Sequence, residues 1–190
     1  MSIGNSNDEQ RLTEQIRNGD DGAMRVFCSL YGPHLKAICS RYIADPEDAR
    51  DVLQDVMIDI VTHIAGFRYQ GRGSLQAWAK RIAVNDSLNY IRNRQSHELK
   101  RLQQDIGDVV EEDDPPIDDL PPETIQLMVK QLPTGYRTVL NLYVFEDKSH
   151  QEIARMLNIS VSTSISQLRK AKNMLARMIQ AYHDNKRPPR

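Results

Sequence analysis

The segment at residues 106–123, IGDVVEEDDPPIDDLPPE, limits what the chain can fold into more than any other. It carries Asp108, Glu111, Glu112, Asp113, Asp114, Asp118 and Asp119 with no Lys or Arg, and it places prolines at 115, 116, 121 and 122. Like charges repel along such a stretch, proline removes backbone donors, and few apolar residues are available to bury, so it reads as a linker. A chain of 190 residues divided there holds two small lobes. The expected domains are 1–97, a linker at 98–122, a second domain at 123–182 and a basic tail at 183–190.

Both lobes read as helical, which predicts an all-α protein of two small helical domains joined by an acidic, Pro-rich linker. In the first lobe Val52, Val56, Ile60 and Ile64 recur every four residues, with Leu53, Met57 and Val61 beside them, the apolar stripe of a helix. Asp45 followed by Pro46 supplies an N-cap and a first-turn proline for that helix, which should end near Gly66. Gly71 and Gly73 then mark a loop, and Ser74 is the expected N-cap of a helix carrying Leu75, Trp78, Ile82 and Leu88 on one side.

Around that second helix lie Arg68, Arg72, Lys80, Arg81, Asn85, Arg92 and Arg94, with Phe67 and Trp78 among them. Rings interleaved with cations suit single-stranded nucleic acid, because rings stack on unpaired bases while cations hold phosphates. The same residues also read as an ordinary aromatic core with a solvated charged face.

The net charge of −1 conceals a polarity along the chain. After Lys148, Arg155, Arg169, Lys170, Lys172, Arg177, Lys186, Arg187 and Arg190 stand against only Glu152 and Asp184, giving an end suited to nucleic acid.

Within that basic end, NISVSTSISQL at 158–168 alternates apolar and polar residues as a half-buried strand would. A lone strand would leave its backbone groups unpaired, and no other convincing strand is found in this lobe. The helical reading is better supported. Ser149-His150-Gln151-Glu152 has the form of a capping box, Ile153, Ala154 and Leu157 form a buried face, and Asn158 suits the left-handed turn that ends a helix. Ser160 can cap the next helix, whose expected inner face is Val161, Leu168, Ala171 and Leu175, with Ser164 and Ile165 at its margins. Ser162, Thr163, Ser166, Gln167 and Lys170 would then face outward. Two short helices joined by a tight turn form a helix-turn-helix, in which hydroxyls allow close approach to a groove, Gln167 could bond an adenine edge, and Arg169 and Lys170 could hold phosphate. A helical hairpin that packs on another protein is the alternative reading of the same pattern.

Taken together, LTEQIRNGDDGAMRVF, DPEDARDVLQDV and GRGSLQAWAKRIAVNDSLNYIR in the first lobe, and QLPTGYRTVLNLYVFEDKSHQEIARMLNISVSTSISQLRKAKNML in the second, resemble bacterial sigma-70 family sigma factors of the extracytoplasmic-function (ECF) group. The resemblance implies a dissociable, non-catalytic subunit that binds core RNA polymerase and selects and opens promoters. The first lobe would be region 2. Its helix, through Asp48, Asp51, Val52, Gln54 and Asp55, would hold the clamp helices of the largest subunit. Its minus-ten strand residues would be Phe67, Arg68, Arg72, Ser74, Arg81, Asn85 and Arg92. The second lobe would be region 4, reading duplex at the minus-thirty-five element through Ser160, Ser162, Thr163, Ser166, Gln167, Arg169 and Lys170, and meeting the flap of the second-largest subunit. The acidic linker would thread the polymerase's basic RNA channel as a phosphate mimic, or simply stay soluble and extended. An anti-sigma protein is a further partner that the resemblance allows. Ser162, Ile165 and Gln167 depart from the family's usual glycine, basic residue and arginine, so the promoter sequence does not carry over from relatives.

Other classes find less support. A stand-alone helix-turn-helix regulator with a helical effector domain would explain the second lobe and leave the ring-and-cation block of the first unused. No phosphate-cradling glycine loop, HExxH motif or nucleophile with an evident base points to an enzyme, and no cofactor is implied. Cys28, His34 and Cys39 offer three candidate zinc ligands without a fourth, so two reduced, partly buried thiols are expected. No run approaches the roughly 18 apolar residues of a membrane helix, so no membrane insertion is expected. MSIGNSNDEQ lacks the features of a secretory signal, and the expected compartment is the cytoplasm.

Overall fold

The computed structural model describes residues 6–94 and 120–186. They form eight α-helices and one 3-10 turn, with no strand among the described residues. The helices are α1 (Ser6–Arg17), α2 (Asp21–Tyr42), α3 (Pro46–His63), α4 (Ser74–Arg94), α5 (Pro122–Gln131), α6 (Thr134–Val144), α7 (His150–Leu157) and α8 (Val161–Lys186). The chain divides into two compact units, Met1–Tyr90 and Ile91–Arg190. Most of the expected linker, 98–119, and the last residues of the expected tail, 187–190, lie outside the described residues.

In the first unit, local caps start two of the helices. Asp20 accepts from the amides of Gly22 and Ala23 at 2.7 and 3.1 Å to open α2, and Asp45 accepts from Glu47 and Asp48 at 2.9 and 3.0 Å to open α3. Pro46 follows at the first helical position, where its missing donor costs nothing. Leu35, Ile38, Cys39 and Tyr42 of α2 are buried at helical spacing, as are Ala49, Val52, Val56 and Ile60 of α3, and the two helices pack together. After α3 the chain tightens into a 3-10 turn, Ile64–Gly66, which lies against α1 and α3. The α4 helix buries Leu75, Ala79, Ala83, Leu88 and Ile91.

In the second unit, α6 is buried along nine consecutive residues, Thr134–Leu142, with α7 and α8 packed on it. A helix enclosed on all sides must satisfy its polar groups internally. Arg137, 4 % exposed, does so by donating through Nη1 to the carbonyls of Lys130 and Leu132, both at 2.9 Å, which caps the C-terminal end of α5. Leu120, Met128 and Ile179 form a buried cluster with Ile125, Leu175, Met178 and Tyr182 around it. Leu120 was expected to belong to the linker and is instead part of this core. Leu120 thereby ties the entry of α5 to the core. At the other end α8 continues to Lys186, beyond the expected boundary at 182.

Candidate nucleic-acid interface

The loop between the 3-10 turn and α4 is shaped by glycine and held by α1. Gly71 and Gly73 adopt φ values of +110° and +86°, open to glycine and strained for other residues. The first amides of α4 need an acceptor, and the sequence suggests Ser74. The structure uses Glu9 of α1 instead: its Oε2 accepts from Gly73 N at 2.6 Å and its Oε1 from Leu75 N at 2.8 Å, while the side chain is almost wholly buried. Ser74 Oγ turns back to accept from the Gln70 amide at 3.2 Å. Ser74 fails as the cap because it lies inside the helix, as its first residue. A third bond from α1 fixes the loop's start, where Arg17 Nη2 donates to the Phe67 carbonyl at 2.6 Å.

Phe67 is buried at 8 % exposure and packs against Trp78 with ring centroids 5.0 Å apart and the planes tilted by 36°. Its ring is therefore enclosed and not presented for base stacking. Trp78 is only half-buried, and from it along α4 run Arg81, Asn85 and Arg92, all exposed and at helical spacing on one side. Arg68 and Arg72 are exposed on the loop.

On α3 the outer stripe consists of Asp51, Gln54, Asp55, Ile58 and Val61, with Ile58 62 % and Val61 51 % exposed. Val52, expected on this surface, is buried at 2 % on the opposite face of α3 with Val56 and Ile60. Asp48 is half-buried. The sequence reading placed Val61 beside the inner stripe and did not single out Ile58. Where α3 faces α4, burial and the neighbouring Asp59 and Asp55 carboxylates push the Asp86 carboxyl up to about 6.

In the second unit the helix-turn-helix closes as two capped helices. Ser149 and Glu152 form the reciprocal capping box, Asn158 sits in the left-handed conformation at φ 53° and ψ 48°, and Ser160 Oγ accepts from the Thr163 amide at 2.9 Å. The two helices cross at Ser164, which is fully buried and bonds His150 Nδ1 at 2.9 Å, while the His150 ring stacks on Tyr143 of α6. This buried serine sets the phase of α8. Gln167 follows it inward, 3 % exposed with Oε1 unbonded among the described residues, and so does not face outward as expected. The exposed residues of its first turns are Val161, Ser162, Ile165 and Lys172, with Val161 41 % and Ile165 50 % exposed, while Ser166 and Arg169 are half-buried beside them. Val161, expected inside, is thus outside. Thr163 and Lys170 are half-buried at the margins, and Ser160 is exposed.

Cys28 is exposed, contrary to the expectation of a partly buried thiol, whereas Cys39 is buried and its thiol is pushed up to about 11 by burial. Among the described residues no group of His, Cys, Asp or Glu side chains could hold a metal ion, and no helix is long and apolar enough to cross a membrane.

Two family models match the chain in order, Sigma-70 region 2 over residues 28–97 and Sigma-70 region 4 over residues 123–175. The chain belongs to the sigma-70 family. Similar curated proteins span nearly its whole length. The RNA polymerase sigma-H factor of Pseudomonas aeruginosa is 25 % identical over 90 % of this chain and 94 % of its own. The ECF RNA polymerase sigma-E factor of Haemophilus influenzae is 27 % identical over 90 % of this chain and 95 % of its own. The ECF RNA polymerase sigma factor SigW of Bacillus subtilis is 25 % identical over 90 % of this chain and 96 % of its own.

As a sigma factor of the ECF group, the chain directs transcription initiation and is not an enzyme. Its region 2 match takes in α3, the glycine loop and α4, and its region 4 match takes in α5 to α7 and the first half of α8. The α1 helix, which supplies Glu9 and Arg17, lies before the region 2 match.

Proposed function

We propose that this sigma factor divides its work among three surfaces. The outer stripe of α3, Asp51, Gln54, Asp55, Ile58 and Val61, docks on the clamp helices of core RNA polymerase, an apolar contact rimmed by acidic side chains. The face of α4 with Trp78, Arg81, Asn85 and Arg92, joined by Arg68 and Arg72, takes the unpaired minus-ten strand, with Trp78 offering the accessible ring and Phe67 supporting it from behind. The outward face of α8 reads the minus-thirty-five element as duplex.

The observation that carries this reading is the combination in one chain of a ring-and-cation face, suited to unpaired bases, with a capped helix-turn-helix suited to the major groove. A stand-alone regulator would need the second and leave the first idle. The acidic segment between the two regions suits a basic channel on the polymerase, and the flap of the second-largest subunit is the expected contact of region 4. The compartment is the cytoplasm, where polymerase works. An anti-sigma protein that covers α3 would hold the factor inactive.

Reconstitution tests the reading. The full chain, added to core RNA polymerase, should produce initiation at discrete sites on genomic DNA, and Asn85→Ala should impair promoter opening with core binding intact. If core polymerase neither binds the chain nor gains specificity, the reading fails. Loss of core binding in Asn85→Ala would reassign that residue to the fold.

A further inference from the structure

The outward face of α8 is less polar than a base-reading helix built from hydrogen-bonding side chains. Val161 and Ile165, one turn apart at its N-terminal end, are among the exposed large apolar residues of the molecule at 41 % and 50 %. Single exposed aliphatics are ordinary on a protein surface, but two on one helix face one turn apart make a small contiguous apolar patch that a partner can cover. Their surroundings indicate which partner. From Ile153 to His183 the chain contains no Asp or Glu, while Arg155, Arg169, Lys170, Lys172 and Arg177 fall in that interval. Ser162 and Ser166 flank the two aliphatics with short side chains, and Lys172 is exposed farther along α8. A protein partner for an apolar pair would not require a long interval cleared of carboxylates, whereas a polyanion would. The pair also occupies the first turns of the second helix of a helix-turn-helix, the part that reaches base edges.

In the major groove the apolar feature available to such side chains is the 5-methyl group of thymine. We propose that Val161 and Ile165 read thymine methyl groups in the upstream promoter element, so that this factor prefers thymine where hydrogen-bonding side chains would select guanine or adenine. The inference rests on the sigma-factor reading above and adds to it the chemistry of the bases selected. Gln167, buried beneath this face, takes no part, and Arg169 and Lys172 supply phosphate contacts beside it.

The test uses holoenzyme reconstituted from the full chain and core RNA polymerase, with a random-sequence duplex library as the probe. The enriched upstream element is resynthesised with deoxyuridine replacing each thymine in turn, which removes the methyl and leaves the pairing intact. One or two positions should lose about fourfold in binding, the worth of one buried methyl. Ile165→Ala or Val161→Ala, both solvent-exposed helix positions where alanine is compatible with the fold, should abolish that difference at its own position. Three results would overturn the proposal: an upstream element without thymine, equal binding of thymine and deoxyuridine duplexes, or methyl sensitivity unchanged in both variants. Ile165→Ala that weakens core polymerase binding with DNA preference untouched would assign the face to a protein and overturn it as well. Failure of the sigma-factor reading is distinct, since no sequence would then be enriched at all.

Discussion

Gln167 lies beside the apolar Leu168 on the inward side of α8, with its Oε1 unbonded among the described residues. A buried amide in that state is costly, so Gln167→Leu is expected to raise stability by about 1 kcal/mol and to leave the preference for upstream DNA unchanged, measured by thermal unfolding and duplex binding. A drop in sequence preference would return Gln167 to the interface. Asp86 makes a second prediction. Its raised pKa means that the folded state holds the proton more tightly than the unfolded chain. The associated stability is complete below about pH 3.8 and is lost as pH rises through about 6. Asp86→Asn should therefore be more stable than the native chain at pH 7, by about 1 kcal/mol once solvent screening is allowed for, with the difference closing near pH 4. Midpoints measured across that range, with Asp55, Asp59 and His63 left in place, check the sign. These residues also mark where sequence reading stops. Hydrophobic periodicity located α8 and set Leu168 and Ala171 inside, with Ser164 at the margin of that face, whereas the centre of the inner face is Ser164 itself, fully buried. Shifting the centre to Ser164 carries Gln167 inward and Val161 outward together.

At the scale of elements, what a helix does to its own ends was legible and what a distant helix does to it was not. Asp45 with Pro46, the Ser149–Glu152 box, Asn158 and Ser160 all act within a few residues, and each stands where its spacing placed it. The α4 terminus is different, because its acceptor is Glu9, more than sixty residues earlier in the chain. Local spacing cannot announce such a partner, and Ser74 offered a plausible substitute. Two charge-assisted bonds from a buried carboxylate make Glu9 costly to remove: Glu9→Ala should destabilise region 2 by about 2–4 kcal/mol, by denaturant unfolding. Glu9→Gln, which keeps an acceptor and the shape, should cost less, while hydrogen exchange at the Gly73 and Leu75 amides accelerates in both. Unchanged exchange at those two amides would mean that α4 caps itself.

For the whole molecule, the sequence divided its charge before it divided its fold, and the two divisions serve different partners. Region 4 faces a polyanion, so salt should weaken its duplex binding, and Lys172→Ala should lower the slope of log affinity against log salt by about 1 without altering sequence preference. A slope equal to that of the native chain would place Lys172 away from phosphate. Under the proposed assignment region 2 would meet protein and nucleic acid with opposite stripes on successive helices, acidic and aliphatic on α3, basic and aromatic on α4.

The α1 helix gives this arrangement a practical edge. A fragment trimmed to the region 2 family match would begin at residue 28 and discard Glu9 and Arg17 together. It would keep every side chain assigned to the polymerase and to the strand, yet lose the carboxylate under the α4 terminus and the guanidinium on the Phe67 carbonyl. Such a truncation, or proteolysis that clips the first helix, would act as a remote loss-of-function lesion, silencing strand capture by loosening the loop that presents it.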